Sequence, residues 1–420
     1  DFLHFVWKFQ KFKDRKLQTT NAESLSVLVV GEHNLNSGPD FFNSRISIDD
    51  QVWVGNIELH LRSTDWYLHE HDKDPNYDNV ILHAVWEHNS EIKRQDGTTI
   101  PTLELCNFVD KSLLNRYHDL NLRGFNWIPC EHDLPEVDPL VMNNWLERLF
   151  IERLEIKHSN LLKDLKNCNL HWEQVLFQQL CQAFGLSINK DSFESLARSV
   201  DFNVIVKCCH DQEDLEALFY GQMGMLDHHH KDQYFLVLKE KYHYLKLKFD
   251  LKSIGVIKPK YFRLRPSGFP TIRLSQLANL YARNFPLLSK VIQENTLEEL
   301  YDIFDCKGSE FWDTHYNFGI SSRFRIKRIT KPYIELVILN TIIPIQYSYS
   351  ISIGKDSSEQ LIKLVSEIRK EENRIVRKFN QVNMMITNGM QSQAVIHLKK
   401  NYCENKKCLH CMIGYNLLKK

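Results

Sequence analysis

The stretch that decides the fold is residues 38–60, GPDFFNSRISIDDQVWVGNIELH. Within and just beyond it, FNSRISI at 42–48 and VWVGNIELHL at 52–61 are rich in β-branched and aromatic residues, so they read as two strands around the turn Asp49-Asp50-Gln51. Successive side chains of a strand face opposite ways. Glu58 and His60 therefore share one face, and Ile57, Leu59 and Leu61 share the other. Whether Asp40 joins Glu58 and His60 depends on register. A three-residue loop pairs Ile48 with Val52 and brings Asp40 beside His60 and Phe42 beside Glu58, whereas a two-residue loop turns Asp40 to the opposite face. The three-residue register is the one expected.

In that register two carboxylates, Asp40 and Glu58, converge as ligands for Mg²⁺ or Mn²⁺. His60 beside them can orient or deprotonate a water near neutral pH. The arrangement resembles the PD-(D/E)XK nuclease superfamily, in which Pro-Asp opens one strand and an acidic residue, one spacer and a lysine follow on the next. Pro39-Asp40 and Glu58-Leu59-His60 fill that pattern, with histidine in the lysine's place. The resemblance implies a mixed-sheet domain and metal-dependent hydrolysis of phosphodiesters in DNA or RNA, with Asp40, Glu58 and His60 as the catalytic set.

The next segment, STDWYLHEHDKDPNYDNVILH at 63–83, adds to the cluster. Asp65 is placed to cap a short helix carrying Trp66, His69 and His71, and Asp74, Tyr77 and His83 follow. His69, His71, Asp74, Tyr77 and His83 are expected to line the same cleft as accessory groups, because this density of imidazoles and carboxylates points to a site. The longer signature, from GPDF through RLRPSGFPTIRLSQLA at 263–278 to YCENKKCLHCMIG at 402–414, is similar to a large bacterial family whose domain has no known function. The resemblance implies one coherent protein and leaves its chemistry open.

Cys403, Cys408 and Cys411 offer three thiolates within nine residues, a spacing that can wrap one Zn²⁺ with His397 or His410 as a fourth ligand. The same three can hold an iron–sulfur cluster with a distant fourth ligand, for instance Cys130. The other cysteines are scattered, as in a reducing compartment.

With 53 basic and 53 acidic residues the chain carries no net charge, which argues against a polyanion-binding surface spread over the whole molecule. Locally the balance shifts. Eleven lysines and arginines against Glu240 and Asp250 lie between Phe235 and Arg283, and Arg323, Arg325, Lys327, Arg328 and Lys331 follow without an acid among them. Aromatic residues interleave with the first run, as phosphate contacts and base stacking require. Arg263, Arg265, Arg273, Arg323 and Arg325 are the candidate nucleic-acid contacts; the alternative is a solvated helix face.

Helical periodicity dominates from about Val141 onward, and a proline cluster at Pro129, Pro135 and Pro139 separates it from the strand-rich part. The sequence thus predicts an α+β protein, with a nuclease-like α/β domain over 1–130 and a helical region over 131–420 that ends in the cysteine motif. The opening DFLHFVWKFQKFKDRK is broken by lysines and is not read as a signal peptide, and the apolar run IELVILNTIIPI is interrupted by Glu335, Asn340 and Pro344. A cytoplasmic protein without a membrane partner is expected. Its function is read as a metal-dependent nuclease, or alternatively as a non-catalytic nucleic-acid- or protein-binding scaffold on a degenerate nuclease fold.

Overall fold

A computed structural model describes residues 2–13, 16–34, 36–122, 126–293 and 296–419. The chain forms two compact units, one of residues 1–142 together with 399–420, the other of residues 143–398. The first break lies near the expected one at 130/131. The tail that bears the cysteine motif, placed with the helical region by the sequence, instead returns to the strand-rich unit.

The first unit is built on a seven-stranded mixed sheet. Its strands are β1 (Leu17–Gln18), β2 (Ser24–Val29), β3 (Glu32–His33), β4 (Phe41–Ile48), β5 (Gln51–Arg62), β6 (Val80–Glu87) and β7 (Thr102–Glu104). They lie in the order β1-β2-β4-β5-β6-β7, with β3 paired to the end of β4. Pairing is antiparallel from β1 to β5 and parallel across β5, β6 and β7. From Gly55 to His60, β5 is buried on both faces, as expected of a strand flanked on both sides.

The β4–β5 hairpin corrects the expected register. Ile48 pairs with Gln51, so the loop is the two residues Asp49 and Asp50, not three. Both are left-handed, with φ of +43° and +66°, which suits the twist of a two-residue hairpin. Asp49 is held there because its Oδ1 accepts the amide of Ser24 at 2.8 Å. By simple alternation this loop would turn Asp40 away from Glu58. A β-bulge reverses that: Ser44 pairs with Gly55 but Phe41 with Ile57, so β4 spends one extra residue around Asn43, whose φ is +56°. The bulge brings Asp40 back to Glu58.

Helix α1 (Phe2–Lys8) buries Leu3, Phe5, Val6 and Trp7, and the Trp7 indole donates to the carbonyl of Val30 at 3.1 Å. The helix ends at Lys8, and Gln10 turns the chain with φ +47°. Phe9 instead packs 4.8 Å from the ring of Tyr415, on the C-terminal helix Met412–Lys419.

The second unit is mostly helical. Helix Trp172–Ser199 is broken at Leu186 and Asn189. That helix stops before Asp201, which caps a new helix, Phe202–Cys208, by accepting the amide of Asn203 at 2.8 Å. The run IELVILNTIIPI lies inside the 22-residue helix Lys331–Ser352, which is apolar and long enough to cross a membrane by length and composition. Its Ile334, Val337, Ile338 and Ile342 are buried within this unit. Asn340 sits in a π-helical turn, Ile338–Ile342, that carries the helix past Pro344.

Gly55 sits where β5 meets the turn into β6. A Cβ there would fall 2.6 Å from the carbonyl oxygen of Asn79 and 2.5 Å from Ile81 Cγ2. Gly55→Ala should therefore lower the urea midpoint of unfolding, with a loss of about 1–3 kcal/mol. An unchanged midpoint would mean that β5 and β6 are not packed this closely.

Candidate metal centre

The site assembles on the buried middle of β5. Asp40, just before β4, donates its amide to Glu58 Oε2 at 3.1 Å, and its own Oδ2 accepts the amide of Leu59 at 3.0 Å. This reciprocal clasp fixes both carboxylates. Asp40 Oδ1 faces His4 Nε2 of α1 at 3.0 Å, so both oxygens of Asp40 are engaged.

Beyond β5 the chain turns back over the same face. Asp65 does not cap α2 (Asp65–Leu68) as expected: it is the first helical residue, the N-cap position is Thr64, and Asp65 Oδ2 turns back to accept the amide of Arg62 at 2.9 Å. His69 ends that helix, Glu70 adopts a left-handed conformation with φ +59°, and His71 returns to bond the carbonyl of Trp66 at 3.0 Å. Trp66 is fully buried and lies edge-on to His71, Tyr77 and His83. Tyr77 stacks on His71 with ring centres 3.7 Å apart. The loop is thus pinned to the sheet by aromatic packing, with His71 facing Glu58 and His69 facing His60.

The donor atoms are close together. Nitrogens of His60, His69 and His71 lie within 4.8 Å of one another. His60 Nε2 is 3.0 Å from His69 Nδ1, and Glu58 Oε1 is 3.5 Å from His60 Nε2 and 3.4 Å from His71 Nε2. Ligands 2.0–2.1 Å from a shared cation stand roughly 3.0 Å apart at right angles and roughly 3.4 Å apart at tetrahedral angles. The three imidazoles therefore lie close enough together to share one cation, with Glu58 beside two of them, His60 and His71.

The electrostatics agree. Burial, helped by the charge of Asp40, pushes the Glu58 carboxyl above its usual range against the opposing hydrogen bond from His71. Burial first, and then His71 and His69, push His60 down to about 4. His83 is buried without exposure and is held well below the ordinary histidine value by that burial. Its Nε2 lies 2.8 Å from His60 Nδ1. With His83 neutral, His60 can donate from Nδ1 and present an unprotonated Nε2 to the centre, the tautomer a ligand needs.

The structure thus brings together Asp40, Glu58, His60, His69, His71, Tyr77 and His83. Asp74 has a different place: its Oδ1 accepts from the amide of Asn76 at 2.9 Å and caps the turn Pro75–Tyr77. The sequence reading missed His4, whose neighbour His33 lies 5.4 Å away, ring to ring. Only the pairing of α1 with the start of β4 brings His4 to Asp40, and no local signal carries that.

Within the second unit the two basic runs meet. Phe269 links Tyr261, at 5.3 Å, to Tyr316, at 6.3 Å, and Lys327 lies 4.5 Å over the Tyr316 ring. Arg263, Arg265, Arg323 and Arg325 are exposed on these segments, with the exposed rings of Phe262 and Phe324 among them. The arginine loop is strapped to the broken helix, where Asn189 bonds both the amide and the carbonyl of Lys260, at 2.7 and 2.8 Å. Arg273 is placed otherwise. Pro270 starts a helix, and Arg273 stacks 3.8 Å over Tyr333 and bonds Gln276.

A family model described as "Protein of unknown function (DUF2851)" matches residues 1–374, and the chain belongs to that family. No curated protein and no solved structure matches it. The matched residues include every group around Glu58, and the cysteine motif at 403–411 lies beyond them.

His60 titrates near 4 in the folded protein against 6.5 in its ordinary state. Between those values the unfolded chain binds more protons, so stability should fall with acidification. The metal-free protein should lose about 1.5 kcal/mol from His60 alone between pH 6.5 and 5, with His83 adding in the same direction. Urea titrations across that range measure it; a flat profile would mean that these imidazoles take up protons while folded.

Proposed function

We propose that this DUF2851 protein is a metal-dependent phosphodiesterase of the nuclease type, acting on DNA or RNA. One observation carries the reading: three imidazole nitrogens, from His60, His69 and His71, gathered beside the buried carboxylate of Glu58. A nitrogen-rich set of this kind suits Zn²⁺, Mn²⁺ or Fe²⁺ better than Mg²⁺, which prefers oxygen ligands. The sequence reading assigned the metal to Asp40 and Glu58; the geometry favours Glu58 with the three histidines, and Asp40 as their brace.

When bound, the ion would supply Lewis acidity toward a phosphoryl oxygen and make a nearby water easier to deprotonate. The chain's residues do the rest. His60 serves as a ligand rather than a base, since its nitrogens face His69 and His83. Asp40 and His4, both partly exposed, form a carboxylate–imidazole pair that can accept a proton from water or return one to the leaving oxygen. Trp66 and Tyr77 keep the imidazoles in place and exclude water from behind them. The exposed arginines and aromatic rings of the second unit would hold the phosphate backbone and stack bases.

The test is cleavage of single- and double-stranded DNA and RNA with Mn²⁺, Zn²⁺, Fe²⁺ or Mg²⁺, and with chelator. Cleavage should require a transition metal and stop with chelator, and Glu58→Gln or His71→Ala should lower it by about 100-fold or more. Wild-type cleavage retained in both variants would refute this site. Binding without cleavage under every condition would favour the scaffold reading. Arg263→Glu with Arg265→Glu should weaken nucleic-acid binding and flatten its dependence on salt, because fewer counterions are released. Unchanged binding would return those arginines to a solvated face.

A further inference from the structure

Three helices of the second unit enclose a cavity of about 850 Å³, within the roughly 300–1,000 Å³ range that holds small ligands. Its wall is built from the last turns of helix Pro139–Asn167, the break in helix Trp172–Ser199 and the π-helical turn of helix Lys331–Ser352. Two of these three pieces depart from regular helix. Leu186 at the break has φ +54° and ψ −167°, a conformation that glycine ordinarily occupies. Gly185 before it lets the chain return closely: a Cβ there would stand 3.0 Å from the Lys190 amide nitrogen, so the return that carries Lys190 into the wall needs glycine. Leu264 adds a further side from the arginine loop that Asn189 straps to the break.

The π-helical turn also fixes a charge in the wall. Pro344 has no amide to return to the carbonyl of Asn340 four residues earlier, and Lys157 Nζ donates to that carbonyl at 2.8 Å. The side chain of Asn340 is held by Arg153 at 3.1 Å, and Arg153 bonds Gln393 at 2.7 Å. The acids of the wall are engaged elsewhere: Asp164 accepts from Gln179 at 3.0 Å, and Glu194 pairs with Arg198 at 2.8 Å. Among the described residues, no acid forms an ion pair with Lys157 or Lys190. Burial holds the Lys157 amine well below the ordinary lysine range, and Arg153 and Lys190 add to this against Glu371. An enclosed ammonium without an acid is costly, and an anion entering the cavity would remove that cost.

We propose that this cavity binds the phosphate monoester of a small organic molecule, with Lys157 and Lys190 as the partners of its phosphate. Two ammonium groups without acids match a phosphate dianion, and Lys157 has donors beyond the one given to Asn340. The side-chain amides of Asn160 and Gln182 stand in the wall to bond polar groups of the ligand's body, and Leu161, Leu264 and Leu336 give that body an apolar surface. The site is independent of the histidine centre: it shares no residue with it and lies in the other unit.

The experiment uses the full chain and pyridoxal 5′-phosphate, a phosphate monoester whose aldehyde condenses with a lysine amine and releases water. Borohydride then reduces the imine to a stable secondary amine. The modified lysines are mapped by mass spectrometry, with pyridoxal, which lacks the phosphate, run in parallel. Lys157 should take the label ahead of exposed lysines such as Lys246, and roughly tenfold or more faster from the phosphate ester than from pyridoxal, because the two cations concentrate the ester. Inorganic phosphate should slow that labelling and leave Lys246 unaffected. In Lys190→Met the preference for the ester at Lys157 should fall; an unchanged preference would overturn the two-lysine site. In wild type, label confined to lysines outside the cavity, or equal rates from the two aldehydes, would overturn the proposal, and neither result depends on a variant that folds.

Discussion

The first unit depends on the clasp between Asp40 and Glu58. A carboxylate buried in the middle of a sheet is costly unless its oxygens are met, and here each acid is met by the other's strand: Glu58 by the Asp40 amide, Asp40 by the Leu59 amide. The clasp requires the bulge at Asn43, because the two-residue turn alone would put the acids on opposite faces. Once Glu58 is fixed, His60 follows by alternation. The aromatic loop then has one arrangement that brings His71 to the other side of the same oxygen. Removing the extra residue at Asn43 would shift Asp40 by one position and leave Glu58 buried without its amide donor.

Much of this was legible in the sequence, and the failures have physical reasons. The strands, the shared face of Glu58 and His60, and the gathering of His69, His71 and His83 follow from periodicity and local density. The loop length did not, because two consecutive left-handed aspartates are an uncommon turn stabilised by a distant contact to Ser24. The bulge is a tertiary adjustment with no local marker. Asp74 was read as part of the cleft, although Asp-Pro-Asn is a common capping turn and could have been recognised as one. Arg273 was counted with the basic strip, yet the proline three residues before it starts a helix that turns it onto Tyr333. His4 and the return of the cysteine tail to the first unit are long-range facts that no window of sequence contains.

A metal, as proposed, would resolve a tension in the site. Without one, Glu58 is a buried acid whose neighbour His60, like His83 behind it, is held by burial below the ordinary histidine value. Neutral imidazoles and a carboxylate are, however, the protonation states that a divalent cation requires. Under the proposed function that arrangement would suit a cation, and the packing of Tyr77 and Trp66 against His71 holds the loop in place. Under the proposed function, the exposed arginines and rings of the second unit would supply a surface for an extended polyanion on a chain with no net charge.

The most direct test is anomalous diffraction at the zinc edge from crystals grown with saturating Zn²⁺. The account predicts a peak bonded to His60 Nε2, His69 Nδ1, His71 Nε2 and Glu58 Oε1, at about 2.1 Å from each. Crystals in which those four groups keep their present spacing with no anomalous density among them would contradict it.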